Sequence, residues 1–433
     1  MTVRPRRVGL AAPKAIGPAQ GTRYSRPRAM SESASPSPLA PPSDAELLRL
    51  AGKLREVGQA LDRRFLDKGE LVRLMLISLL AGEHMLIVGP PGTAKSALVR
   101  TLARLVDART FEYLLTRFTE PSELYGPVDI KAFREGQYLR RSEAMLPQAE
   151  IVFLDEIFQS NSAILNSLLT ILNERRFFTG REAVKVPLCS LFGATNQVPN
   201  DDVLQAIFDR FLIRAFSQNL DSYHFRGLVE HGIRSEIAQA TAADENLQPL
   251  VSLAELRAVH RAMGRLLVFS DEFLATYKGL IFQIRSEGVA LSDRRVVKLL
   301  KLFAASALLD GRRAANPGDF FILRHVWNTT DQALLLDDIV KPVLERHGRE
   351  HPEERRRGSA PVDLDAVLAE LGTIRGLLLG GEALSDVQLF SQLRNLQDIK
   401  VALSAMANEN AQKMVGEVDK LLEGIFESSR WNG

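Results

Sequence analysis

From Asp44 onward the apolar positions follow first one rhythm and then another. Leu47, Leu48, Leu50, Leu54, Val57 and Leu61 recur at helical spacing behind a Ser43/Asp44 cap candidate, which predicts a helix. "LVRLMLISLLAGEH" reads as a second, more buried helix, ending near Glu83. The pattern then breaks into short apolar runs: "MLIVG" (85–89), "TFEYLL" (110–115), "AEIVFLDE" (149–156), "VPLCSLFGATN" (186–196) and "FLIRAF" (211–216). Helical stretches separate them. Short buried strands alternating with helices predict a parallel sheet wrapped by helices. Beyond about residue 220 the strand signals stop, and helical periodicity runs to 346.

The flanks differ in character. "HGREHPEERRRGSAPVD" (347–363) is charged, ends in Gly, Ser and Pro, and reads as a linker. Residues 364–379 and 385–428 are helical again, interrupted by Gly380 and Gly381. Leu389, Leu393, Leu396, Leu403, Met414, Val418, Leu421 and Ile425 mark one face, but Lys400, Ala407 and Asn410 break the seam of a continuous coiled coil. A hairpin about the glycine pair and packing against the preceding helices are both open arrangements. The first 43 residues are rich in Pro, Ser, Ala and Arg, with no acidic residue before Glu32, so disorder is expected. Their Arg-rich, acid-poor composition also superficially resembles a transit peptide, and Met30 is a candidate alternative start.

Composition narrows the class. The 433 residues are 45% hydrophobic and 25% charged, an ordinary globular balance, and their length suggests roughly two to four domains. A formal net charge of +2 creates no overall field demanding nucleic acid. Cys189 is the sole cysteine, which excludes intramolecular disulfides and thiolate zinc sites and fits a reducing compartment. Its apolar neighbours make it a core thiol. No apolar run reaches the roughly 18 residues needed for a helical membrane span, so a soluble, cytoplasmic protein is expected.

The candidate chemistry starts at "GPPGTAKSA", which comprises Gly89, Pro90, Pro91, Gly92, Thr93, Ala94, Lys95, Ser96 and Ala97. Placed after a strand and before a helix, it fits a phosphate-binding loop, except that Ala94 stands where the general pattern has glycine. Backbone N–H groups would cradle phosphates, Lys95 would reach the β and γ oxygens, and Ser96 would bind magnesium. The alanine methyl is tolerated, on this reading, because the chain is already turning into the helix. Asp155 and Glu156 end an apolar strand, where unpaired charges are costly unless they have a task. Asp155 would position hydrated magnesium, and Glu156 would polarise the attacking water. "FGATNQ" offers Asn196, "AIFDRFLIR" offers Arg210, and "LSDRRVVKLL" offers Arg294 and Arg295 at a helix start.

In this order and spacing the chain resembles the MoxR family of AAA+ ATPases, with its RavA branch the nearest likeness. The resemblance runs from about residue 60 to 345 through "GPPGTAKS", "YLLTRFTEPSELYGPVDI", "LPQAEIVFLDEIFQSNSAILNSLLTILNERRF", "FGATNQVP", "FDRF" and "SDRR". Alanine before the lysine is common in that family. The resemblance implies an α/β fold: an AAA+ parallel-sheet P-loop core at 44–220, an all-α lid at 221–346 and a C-terminal helical extension at 364–433. It assigns Lys95 and Ser96 to Walker A, Asp155 and Glu156 to Walker B, and Asn196 to sensor 1. Arg210 matches the arginine finger that reaches a neighbour's ATP. Arg294 matches the sensor 2 arginine, with Arg295 one residue away. Residues 117–147 match the helix-2 insert, and "RFFTGREAVKVPL", with Gly180 at its turn, matches the hairpin before sensor 1. Both would face the pore of a hexameric ring.

ATP and Mg2+ are the implied cofactors, and a remodelled protein, in this family often one bearing a von Willebrand A (vWA) domain, is the implied partner. RavA's additional β-rich domain has no room after 347, so its particular partner does not carry over. A DNA-processing AAA+ motor is the alternative. It lacks support from any basic stripe interleaved with aromatics, since the Arg pairs at 140, 175 and 312 read as solvated. A nucleotide-gated scaffold is weaker, because Glu156 and Arg210 are both present.

Overall fold

The computed structural model describes residues 42–179, 182–199, 202–217 and 247–352, isolated positions between 229 and 232 and between 368 and 404, and the helix 409–429. The N-terminal tail through residue 41, Gly180, the glycine pair at 380–381 and the linker beyond 352 lie outside the described residues.

Two helices open the fold. In α1 (Asp44–Asp62), the Ser43 hydroxyl accepts from the Glu46 N–H, and the Glu46 carboxylate accepts from the Ser43 N–H at 2.6 Å. This reciprocal cap contributes about 1 kcal/mol. Helix α2 (Gly69–Ala81) is apolar nearly all round, and every residue from Leu71 to Ala81 except Arg73 is buried. A helix of that kind must be covered on all sides. It is sandwiched: α1 packs on it, and so do two helices of the lid, α8 (Leu253–Leu266) and α10 (Asp293–Leu309). Gly82, at φ 66°, ends α2 in the left-handed cap that favours glycine.

Strands β1 (His84–Val88), β2 (Thr110–Leu114) and β3 (Ile151–Asp155) alternate with α3 (Lys95–Leu105), α4 (Pro121–Tyr125) and α5 (Ile130–Arg134). Next come α6 (Ser162–Glu174), the antiparallel hairpin β4 (Arg176–Thr179) and β5 (Glu182–Lys185), then β6 (Ser190–Thr195), α7 (Asp202–Phe208) and β7 (Phe211–Phe216). The five long strands form one parallel sheet in the order β2-β3-β6-β1-β7. That order sets β6 between β1 and β3, so the carboxyl ends of these three strands share one edge. Ligands of open parallel sheets bind at such an edge.

Helix α9 (Asp271–Ser286), a 3-10 segment (Pro317–His325) and α11 (Gln332–Glu350) complete the lid. The apolar core is continuous from the sheet through α1 and α2 into these helices, so body and lid share one core rather than holding one each. Polar contacts reinforce the junction: buried Glu83 accepts from Lys298 at 2.7 Å and Lys301 at 3.0 Å. Helix α11 runs into the stretch expected to be linker, because the His347 side chain is buried against Gly318. Further on, Leu371, Ile374, Leu396, Ile399, Leu403, Met414 and Val418 form a second apolar cluster, the last two on α12 (Glu409–Ser429). Among the described residues this cluster is separate from the main core.

Candidate nucleotide site

The loop after β1 is built around three backbone demands. The Gly89 N–H donates to the Thr195 carbonyl on β6 at 2.9 Å, and a Cβ at Gly89 would lie 2.0 Å from the Ser217 carbonyl. Any side chain there collides with backbone. Gly92, at φ +82°, would point a Cβ into open space, as a loop that wraps a ligand requires. Ala94 sits at φ 60°, ψ 22° as the left-handed cap of α3. This corrects the sequence-based account of that alanine: the chain has not yet turned into the helix, and Ala94 occupies a conformation suited to glycine. An L-residue loses roughly 1–2 kcal/mol there, against roughly 0.4–1 kcal/mol that glycine costs through unfolded-state freedom. Ala94→Gly is therefore expected to leave ATP binding intact and to raise the melting temperature slightly. Thermal melts check it, and a clear fall would contradict the left-handed backbone.

Lys95 is buried, and its ammonium donates to the Gly89 carbonyl at 2.9 Å and the Pro90 carbonyl at 2.8 Å. Desolvation lowers its pKa, opposed by the nearby charges of Asp155 and Glu156. Ser96, half-buried, follows at the start of α3. Asp155 closes β3, and its carboxylate accepts from the Glu156 N–H at 3.0 Å. Glu156 is itself left-handed, at φ 49°, a strained position of the kind that collects at functional sites. Its pKa is raised first by desolvation and then by Asp155, while Lys95 and the Asn196 N–H, which donates to it, pull the other way. The structure thus brings Lys95, Asp155, Glu156 and Asn196 together at the shared carboxyl edge. The Asn196 side chain is exposed at that edge.

The donor set suits a nucleotide with magnesium. Among the described residues no cluster of three or more His, Cys, Asp or Glu could cage a metal. Ser96 and Asp155 would be candidate protein ligands, and Mg2+ is commonly held by one or two protein oxygens, phosphates and water.

The arginines lie elsewhere. Strand register sets Phe211 of β7 opposite His84 of β1. Arg210 is therefore at the opposite edge of the sheet from the loop, about 16 Å away at roughly 3.3 Å per residue. That is beyond the reach of its side chain. Burial lowers the Arg210 pKa, and the like charge of nearby Arg294 adds to it. The residue left open one position on is distinguished by burial. Arg294 is exposed, whereas Arg295 is buried, donating to the Asn328 side chain at 2.8 Å and the Val326 carbonyl at 2.8 Å.

Two further results were not foreseen. Lys68, in the link between α1 and α2, has its pKa lowered by burial against the opposing charge of Asp67, and it is close enough to Lys95 for that like charge to lower it further. A lone lysine before a helix carries no sequence signal, and only the fold brings it near the loop. The Arg pairs are not simply solvated either. Arg175 donates to the Gly82 carbonyl at 2.7 Å, and Arg312 to buried Asp319 at 2.8 Å. Cys189 is buried, with its pKa raised by desolvation, as expected of a core thiol.

A parallel sheet with this loop and carboxylate pair at its edge, carrying a helical lid, defines an AAA+ ATPase core. Comparison with known proteins takes the assignment further. Residues 52–258 match the family model described as the MoxR domain in MoxR-vWA-beta-propeller ternary systems, and 273–340 match an AAA lid domain. An uncharacterized protein of Methanocaldococcus jannaschii is 36% identical over 304 residues, covering 69% of this chain and 76% of the relative. Chaperone MoxR1 of Mycobacterium tuberculosis is 30% identical over 189 residues, covering 42% of this chain and 49% of its own length. The fold also resembles the crystal structure of a "putative ATPase" from Cytophaga hutchinsonii, with a TM-score of 0.55 and 19% identity over 70% of this chain and 96% of that one. The chain belongs to the MoxR family of AAA+ ATPases. Among the described residues, no helix is long and apolar enough to cross a membrane.

Proposed function

We propose that the chain hydrolyses Mg-ATP in a ring, expected to be hexameric, and uses the cycle to remodel or activate a partner protein. The observation that carries this is the meeting of Lys95, Asp155, Glu156 and the Asn196 N–H at the carboxyl edge of three adjacent strands. Lys95 would turn from the loop carbonyls to the β and γ phosphate oxygens. Ser96 and Asp155 would hold magnesium, which neutralises phosphate charge when bound. Glu156, its proton affinity raised by burial, would accept a proton from water, and Asn196 would orient that water.

Arg210 would serve a neighbour's phosphate, since strand register puts its own out of reach. Arg294, exposed beside it, would act on the same side. The active site is then completed only at a subunit interface, which supports the ring. Within the family, the likeness to the RavA branch rests on the quoted sequence stretches. The matched family description instead supports a partner bearing a vWA domain, with a β-propeller protein as a third component. A cytoplasmic location follows from the same reading.

The separate apolar cluster of the C-terminal helices supports an arm that recruits this partner. Glu156→Gln protein held with ATP is expected to retain a vWA-domain protein in a pull-down, and ATP omission should release it. Deleting residues 364–433 should abolish that retention while hydrolysis and assembly persist. Loss of hydrolysis and assembly on deletion would instead make these helices part of the ring. The DNA-motor reading has one observation in its favour: exposed Phe133 and Tyr138 on the insert stand among Lys131, Arg134 and Arg140. Salt-sensitive retention of DNA in a gel shift would establish it.

A further inference from the structure

Among the described residues, Arg214 is the largest charged side chain with no exposed surface. It lies in the middle of β7, opposite Leu86 of β1, four residues after Arg210. Its guanidinium faces two ways. One amino group, Nη2, donates to the Phe208 carbonyl at 3.1 Å and reaches the Asp209 carboxylate at 3.5 Å, both in the turn that presents Arg210. The other, Nη1, donates to the Trp327 carbonyl and, at 2.7 Å, to the Asn328 side-chain oxygen, both just past the 3-10 segment of the lid. The Phe208 ring lies 3.8 Å from the guanidinium carbon. Trp327 stacks on Phe216 at the far end of the same strand, with ring centroids 4.7 Å apart.

The Asn328 oxygen is shared. It also accepts from Arg295, the neighbour of Arg294. Two buried guanidinium groups therefore converge on one neutral amide, with Asp209 the carboxylate that attracts both. Among the described residues, Nε of Arg214, Nε of Arg295 and Nε1 of Trp327 have no hydrogen-bond partner. Buried charges placed like this are expensive, and apolar side chains of similar size would generally serve stability better. Stability therefore does not account for the junction. What it does achieve is geometric: a planar fork with fixed donor directions spans two parts of the chain more than 110 residues apart in sequence.

We propose that Arg214 is a positioning residue that locks the turn carrying Arg210 to the lid segment holding Arg294, so that both arginines are delivered to the neighbouring subunit as one rigid unit. The proposal rests on the reading that Arg210 acts on a neighbour's ATP. Strand β7 extends the link: at its other end the Ser217 hydroxyl donates to the Thr93 carbonyl at 3.4 Å, and the Ser217 N–H to the Val88 carbonyl at 2.8 Å. One strand thus touches its own phosphate loop at one end and aims the finger at the other.

The test uses mixed subunits of the full chain. A misplacement of about 1 Å at a reacting centre can cost about a hundredfold in rate, so Arg214→Met is expected to lower turnover by about that factor with ATP affinity unchanged. The defect should be one-sided. Arg214→Met subunits mixed with Lys95→Ala subunits should regain activity, because an intact loop then meets a correctly held finger. Mixed with Arg210→Ala subunits they should not, because neither partner supplies one. Arg214→Lys keeps the charge without the fork and should show the same asymmetry in milder form, which keeps the test open if the methionine variant folds poorly. Recovery with both partners, or lysine subunits that donate as well as the unaltered chain, would overturn the proposal. A separate control, Lys95→Ala mixed with Arg210→Ala, reports on the finger itself: failure there overturns the neighbour reading before Arg214 is considered.

Discussion

Glu156→Gln should bind ATP as the unaltered chain does and hydrolyse it about a hundred- to ten-thousand-fold more slowly, the usual worth of a positioned general base. The substitution keeps size and polarity, and it removes a carboxylate whose pKa is raised by burial and then by the charge of Asp155. Asp155 would remain to hold the metal, and Lys95 to hold phosphate. Lys95→Ala should behave in the opposite way, losing nucleotide affinity itself, because the loop then has no cation at its centre. Fluorescent-nucleotide binding and single-turnover hydrolysis separate the two outcomes. Near-normal turnover by Glu156→Gln would remove Glu156 from the mechanism, and unchanged affinity in Lys95→Ala would remove the loop.

Arg210→Ala is expected to bind ATP and lose hydrolysis by about a thousand- to a hundred-thousand-fold, the range an arginine finger supplies. Its own loop is untouched, since the register of β7 on β1 holds position 210 at the far edge of the sheet. Specific activity of the unaltered protein should therefore rise with concentration as interfaces form. Arg210→Ala and Lys95→Ala subunits, each inactive alone, should recover part of the activity when mixed, because one class of interface pairs an intact loop with an intact finger. A monomeric ATPase whose rate per molecule is independent of concentration would contradict both expectations.

Where these residues came from differs. Lys95 and the carboxylate pair were legible because their chemistry is local: a loop between strand and helix, and two acids ending an apolar run, are recognisable within ten residues. Arg210 and Arg294 were singled out only through resemblance, since an arginine in the turn before an apolar strand, or one of a pair at a helix start, looks like any solvated one. Arg214 was missed for a related reason. It sits inside "FLIRAF", where the apolar neighbours mark a strand and nothing marks the buried partner that a charge would need. That partner, the Trp327–Asn328 turn, is over a hundred residues further along.

The amino-acid sequence by itself determined the elements: helices with their caps, five short apolar strands, and the contents of the phosphate loop. These follow from side-chain periodicity and backbone preference, which act over a few residues. Only the tertiary structure decided the order of the strands, because nothing local specifies that β6 lies between β1 and β3. It likewise decided that Ala94 is left-handed, where the phosphate loop turns into the start of α3. The union of body and lid in one core was a tertiary outcome too. An all-round apolar helix such as α2 announces that it will be buried, but which surfaces cover it depends on contacts formed between residues more than 200 positions apart.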